Sequence, residues 1–278
     1  MRNIKIVADS SANVHYREAV PFASAALKII TNDREYIDDA NLDVAAMVAD
    51  FSAYKGKSKT SCPNPQDWLD AFGHSDEVFC VTITSGLSGS YNAAIAAKQM
   101  YEAENENAKV CVIDSLSAGP ELLLIIEKLE ELIGRELPFE EICREIEEYQ
   151  KVTGLEFMLE SLKNLAANGR VNPAIAKVVT VLGIRIVGKA SDQGTLQNTD
   201  KCRGQARSLT TMVKNMEKAG LKTGKVIIAH CENEAAAMEL KDLLAEKLPQ
   251  VKVQIMACTG LCSFYAEKGG MLVGFEKF

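Results

Sequence analysis

Short apolar runs that end in clusters of hydroxyl residues set the rhythm of the first half of the chain. Residues 4–8 form one such run and close on Asp9-Ser10-Ser11, the pattern of a strand buried in a sheet and ended by a polar loop. Residues 78–83 lead into Thr84-Ser85-Gly86-Leu87-Ser88-Gly89-Ser90 and residues 110–113 into Asp114-Ser115, each followed by a long helical pattern. Strand, loop and helix recurring in this way predict a parallel sheet with right-handed crossovers. Helices are predicted over residues 92–103, rich in alanine, and over 122–133, almost wholly apolar and so packed on a sheet. Pro138 opens another, in which Ile142, Ile146 and Tyr149 recur at helical spacing while Glu140, Glu141, Glu145 and Glu147 take the wet side.

The style changes around residues 151–154, and a domain boundary is placed there. Residues 1–153 form the parallel-sheet α/β domain and residues 154–278 a mixed-sheet α/β domain; a length of 278 residues suits two domains of ordinary size. Residues 158–167 are predicted as a helix stopped by Asn168-Gly169, a suitable left-handed cap, with Arg170-Val171 following. Strands over 185–189 and 195–197 flank Ser191-Asp192-Gln193-Gly194 as a hairpin, and 225–230, 251–256 and 271–275 supply three more. Helices are expected at 203–219 and 234–247.

Charge and composition narrow the function. With 31 basic against 38 acidic residues the net charge is −7, which disfavours nucleic acid or an anionic membrane as partner. No stretch approaches the ~18 apolar residues of a membrane span, and the N-terminal residues lack the apolar centre of a secretory signal, so a cytoplasmic protein is expected. Eight cysteines scattered through such a chain read as reduced thiols rather than a disulfide framework.

Parallel sheets bind ligands beyond the carboxyl ends of their strands, where Asp9-Ser10, the 84–90 loop and Asp114-Ser115 would converge. In the 84–90 loop two glycines let the backbone turn tightly, amides at the following helix start can face an anion, and Ser85 and Ser88 can add hydroxyl donors. An ordinary serine N-cap is the plainer explanation of the same letters. A carboxylate and a phosphate both suit such a loop, but neither G-x-x-x-x-G-K-[ST] nor G-x-G-x-x-G is present, which removes the usual nucleotide fingerprints.

Asp9-Ser10-Ser11, Thr60-Ser61-Cys62-Pro63, Ser85-Gly-Leu-Ser-Gly-Ser-Tyr91, Asp114-Ser-Leu-Ser117, Gly169-Arg170-Val171 and Thr259-Gly260 resemble, in this order and along the whole chain, motifs of the DegV family. The resemblance implies a two-domain α/β fold, a Rossmann-like parallel sheet followed by a mixed sheet, with a long-chain fatty acid in the cleft between them. It further implies a non-catalytic lipid-binding protein, needing no metal or cofactor, that presents its bound acyl group to a separate ATP-dependent fatty acid kinase for acyl-phosphate formation and phospholipid synthesis. By the same analogy Thr60, Ser61, Ser85, Ser88, Gly89, Arg170 and Thr259 are the ligand-binding residues. A buried carboxylate needs several donors, each charge-assisted bond contributing roughly 1.5–3 kcal/mol, and the tail adds about 0.8 kcal/mol per buried methylene before ordering costs.

Arg170 either pairs with the carboxylate or is a solvated arginine favourable to a helix C-terminus. Asp9 and Asp114 are candidate acids whose plainer role is to satisfy loop amides. Many family members read H-T-G-P-G near the last strand, where this chain has Cys258-Thr259-Gly260-Leu261-Cys262, and His15, His74 and His230 do not fill that place. Cys62 and Cys258 are therefore secondary candidates, as a thiol pair at the mouth of the site with redox or metal character. Two other functions stay open: carriage of another small amphipathic carboxylate, and a serine-dependent hydrolase, although the G-x-S-x-G elbow is missing.

Overall fold

The computed structural model describes residues 2–278, apart from the side chains of residues 177, 178 and 180–182. The first strand, β1 (Ile4–Asp9), ends in a 3-10 turn over Ser10–Ala12 rather than a long helix, and β2 (Phe22–Ala25) returns parallel to it. Next come β3 (Lys28–Ile30), β4 (Glu35–Ile37), α1 (Val44–Ala53), β5 (Lys59–Ser61), α2 (Pro65–Phe72), β6 (Glu77–Thr82), α3 (Ser90–Glu104) and β7 (Lys109–Asp114). Helices α4 (Pro120–Gly134) and α5 (Phe139–Lys151) lead to β8 (Thr153–Leu159), α6 (Lys163–Ala167) and α7 (Pro173–Leu182). The chain ends with β9 (Ile184–Ala190), β10 (Leu196–Arg203), α8 (Gln205–Ala219), β11 (Gly224–His230), α9 (Glu234–Lys247), β12 (Val251–Ala257), α10 (Gly260–Ala266) and β13 (Met271–Glu276).

Three sheets result. The expected parallel sheet has the order β2-β1-β6-β7. A mixed sheet has the order β10-β9-β8-β13-β11-β12, in which only β11 and β12 run parallel. The third, β4-β3-β5, is small, antiparallel and absent from the sequence-based expectation. One prediction is corrected: residues 153–159 form a central strand of the mixed sheet, and the helix expected from residue 158 begins only at Lys163. Both faces of β8 are covered, so it lacks the alternation that betrays a half-buried strand.

Each sheet is held by helices whose apolar stripes match its faces. On the parallel sheet, Ile6, Ala8, Phe79 and Val81 pack against Leu122, Ile125 and Leu129 of α4 and Ile142 and Ile146 of α5. On the opposite face Val7, Val78 and Cys80 meet Trp68 and Phe72 of α2 and Ala94 and Ala97 of α3. Helices α8 and α9 cover one face of the mixed sheet through Leu209, Met212, Val213 and Leu240. The other face is turned toward α4, so Leu122–Ile126 are buried all round. Each such leucine or isoleucine contributes roughly 1.5–3 kcal/mol relative to exposure. Gly274 permits this layering, because a Cβ there would lie 2.6 Å from the amide nitrogen of Glu121 at the start of α4.

Candidate functional site

The three loops beyond β1, β6 and β7 do converge, and two carboxylates, one buried and one half-buried, hold them together. Asp9, wholly buried, accepts from the Ile83 amide at 2.8 Å and the Ser90 hydroxyl at 2.6 Å, and also from the amide and hydroxyl of Ser11. Burial pushes its carboxyl above the ordinary range, against the pull of those donors. Asp114 accepts from the amides of Ser85 and Leu116, each at 3.1 Å. Both acids therefore satisfy loop amides after a strand, the plainer of their two expected roles. The Thr84 amide donates to Ser117 O at 2.9 Å and the Gly119 amide to Ser11 O at 3.0 Å, which ties all three loops into one body.

The hairpin between β9 and β10 closes over this body from the other half of the chain. Gly194, at φ +66°, lies so close that a Cβ would collide with the Thr84 hydroxyl and stand 3.0 Å from Leu116 Cα. Gly86 faces it, and a Cβ there would meet Gln193 O at 2.7 Å. Backbone meets backbone at this seam, which glycine alone allows.

Beneath the seam lies a cavity of about 720 Å³, its open mouth included, walled by residues from both halves of the chain. The lining is apolar over most of its extent, with Leu27, Ile83, Ala118, Leu155, Phe157, Leu159, Leu196, Leu261 and Leu272 among it. The nitrogen- and oxygen-bearing side chains in the lining are Thr60, Ser88, Arg170 and Tyr265. The Thr60 and Tyr265 hydroxyls are 2.7 Å apart. Arg170 follows Gly169, at φ +74°, and its Nε donates to Leu87 O at 3.2 Å, beside Ser88. Its Nη1 donates to Asn168 O at 2.5 Å, and no carboxylate among the described residues pairs with it. Burial raises the Tyr265 phenol, so it stays a neutral donor, while the nearby guanidinium pulls the other way.

Thr60, Ser88 and Arg170 thus line the cavity; Ser61, Ser85, Gly89 and Thr259 are not among its lining residues. On β5 only Thr60 turns inward, and Ser61 is exposed as strand alternation requires. Ser85 is exposed, with its amide held by Asp114. Gly89 forms the N-cap of α3 and has no side chain to cap it, and the first helical amide, that of Ser90, donates to Ser88 Oγ at 3.3 Å. The Thr259 hydroxyl donates to Asn13 Oδ1 at 3.1 Å and Ser10 O at 3.3 Å. Cys62 is half-buried and a Cβ on Gly89 would lie 3.3 Å from its sulfur, whereas Cys258 is buried with Ala229 and Cys262. All eight cysteines are free, and no group of three metal-ligating side chains occurs among the described residues.

Two participants carry no motif. Tyr265 belongs to α10, where Leu261, Cys262, Tyr265 and Ala266 fall on one helical stripe facing the cavity. Asp38, fully buried, accepts from the amides of Gly260 at 2.7 Å and Leu261 at 2.9 Å, so it occupies the N-terminus of that helix. His15 lies 3.8 Å from Asp38.

A family model for DegV matches residues 3–277. The chain belongs to the DegV family. A DegV domain-containing protein of Streptococcus gordonii is 42% identical over 278 residues, 98% of each chain. Among solved structures, a DegV protein from Eubacterium eligens loaded with heptadecanoic acid superimposes with a TM-score of 0.97 at 41% identity, covering 99% of this chain and 100% of that one. The fatty acid kinase B3 protein of Streptococcus pneumoniae, loaded with linoleic acid, gives the same TM-score and identity over the full length of both chains. The DegV fold is therefore that of this chain throughout.

Proposed function

We propose that this DegV protein binds one long-chain fatty acid in the cleft between its two α/β domains, residues 1–153 and 154–278, and presents it to a separate fatty acid kinase in the cytoplasm. The carboxylate rests among Thr60, Ser88 and Arg170, with Tyr265 as a further donor, and the tail runs along the leucine-rich wall. One observation carries this reading: an otherwise apolar cavity gathers two hydroxyls, a phenol and an arginine without a carboxylate partner in one neighbourhood. Such a site matches a molecule with one anionic head and a greasy remainder. The start of α3, adjoining Ser88, adds the partial positive charge of a helix N-terminus. Relatives at 41% identity that hold heptadecanoic and linoleic acids support the same ligand class.

The protein itself performs no chemistry in this reading. Ser88 Oγ accepts from the Ser90 amide at 3.3 Å, and His230 Nδ1 accepts from Asn233, so neither is arranged as a nucleophile with its base. No helix among the described residues is long and apolar enough to cross a membrane. Native mass spectrometry of the purified protein tests the proposal: an excess mass equal to a long-chain fatty acid is expected. A protein that arrives empty and ignores added oleate would refute it.

A further inference from the structure

The wall of the cavity that β8 supplies holds an aromatic residue whose register partner on the neighbouring strand β9 is a glycine. Phe157 and Gly188 are register partners across the two antiparallel strands. Phe157 is 2% exposed and lines the cavity with its strand neighbours Leu155 and Leu159. Residues two apart on a strand share a face, so Gly188 stands on the same face as Ile186, which packs in the cluster that contains Phe157. Gly188 is not among the residues of positive φ, and its backbone needs no glycine on that account. What the position requires is emptiness: a Cβ there would run into Cζ of the Phe157 ring, lie 2.7 Å from Cε2 and stand 2.6 Å from Gln197 O on β10.

We infer that Gly188 is a specificity-determining residue, which seats the Phe157 ring against the sheet and so keeps it out of the acyl channel. The inference rests on the reading of the cavity as a fatty-acid channel and adds what sets the length of chain it accepts. The ring is bounded on one side by the backbone of β9 and on the other by the cavity it lines. A methyl group placed under it meets two obstacles: the ring, whose soft response is to lift into the channel, and the Gln197 carbonyl, which only a small shift of β10 relieves. Phe157 makes none of the polar contacts of Thr60, Ser88 or Arg170, so the head group is left alone while the passage beyond it narrows.

The test is a chain-length series, octanoate to stearate, displacing a fluorescent fatty acid from the wild type and from Gly188→Ala. Wild-type affinity climbs with length; in Gly188→Ala the climb stops early, stearate weakening by about tenfold or more, as an overpacked core site would give, with octanoate unchanged. The double variant Gly188→Ala with Phe157→Leu recovers stearate. If it does not, the methyl acts by pushing Gln197 and β10 rather than the ring, and the inference fails. Uniform weakening at every length overturns it equally. Should Gly188→Ala not fold, Phe157→Trp narrows the same point from the facing strand, and an unchanged stearate affinity in that variant refutes the inference. A wild type indifferent to chain length refutes the channel reading itself, a separate outcome.

Discussion

Glu156 sits in the middle of β8, 2% exposed, on the face that packs under α8. Burial raises its carboxyl from the ordinary 4.5 to about 8, nearby Asp200 adds to the rise, and the Asn215 amide, donating to Oε1 at 2.8 Å, opposes it. Unfolding returns the group to its ordinary value. The stability this carboxyl contributes is therefore fully present below about pH 4.5 and is lost as pH climbs through about 8. Each unit between those values costs about 1.4 kcal/mol, so near neutrality, where the unfolded chain ionises this carboxyl and the folded one keeps it protonated, folding is less favourable by on the order of 3 kcal/mol. Glu156→Gln keeps an acceptor for Asn215 and removes the titration. Urea unfolding of both proteins at intervals from about pH 5 to about pH 9 isolates this group, since the other raised carboxyls of Asp9, Asp38 and Glu121 are common to both. The two should be nearly equal at the acid end and diverge in favour of glutamine by about 1 kcal/mol per unit before levelling off. A difference that stays constant across the range would show that the carboxyl ionises normally, and the argument would be wrong.

Removing the Ser88 hydroxyl with Ser88→Ala should weaken oleate binding about tenfold, the worth of one hydrogen bond to a charged group, with the thermal midpoint of the ligand-free protein lowered only slightly by the loss of the Ser90 amide's acceptor; unchanged affinity excludes Ser88 from the head-group site. Arg170→Met should cost about ten- to a hundredfold at low salt and less at high salt, because part of its contribution is long-range attraction; a salt-independent loss would argue for packing instead. Gly194→Ala should lower the free energy of unfolding by roughly 2 kcal/mol or more, since a left-handed backbone and the Thr84 hydroxyl both oppose a side chain there. A variant as stable as the wild type in urea would mean that the hairpin is free to lift away.

The elements that could be read from sequence are those whose burial is simple. β1, β6 and β7 are covered on both faces and show as apolar runs, while α8 and α9 have one wet face and show as helical stripes. β8 was hidden because a glutamate interrupts its apolar run and tertiary packing, not pattern, makes that residue tolerable. The small sheet was hidden because strands of three residues carry no period to detect. Within the site, the hydroxyl-rich loops were legible as letters, but the facing of each hydroxyl was not. Thr60 and Ser61 are adjacent and chemically alike, and a strand sends them in opposite directions. Tyr265 and Asp38 left no local signal at all, since each acquires its role from a partner more than two hundred residues away.

The small sheet has a mechanical consequence. Through Asp38, just past β4, it grips the first amides of α10, and through Thr60 on β5 it touches Tyr265 near the last turn of the same helix. With β3 bridging those two strands, the helix is clamped at either end by a single stiff bracket. That flank cannot tilt unless the bracket turns with it, so whatever gives way to admit a guest has to yield on another flank.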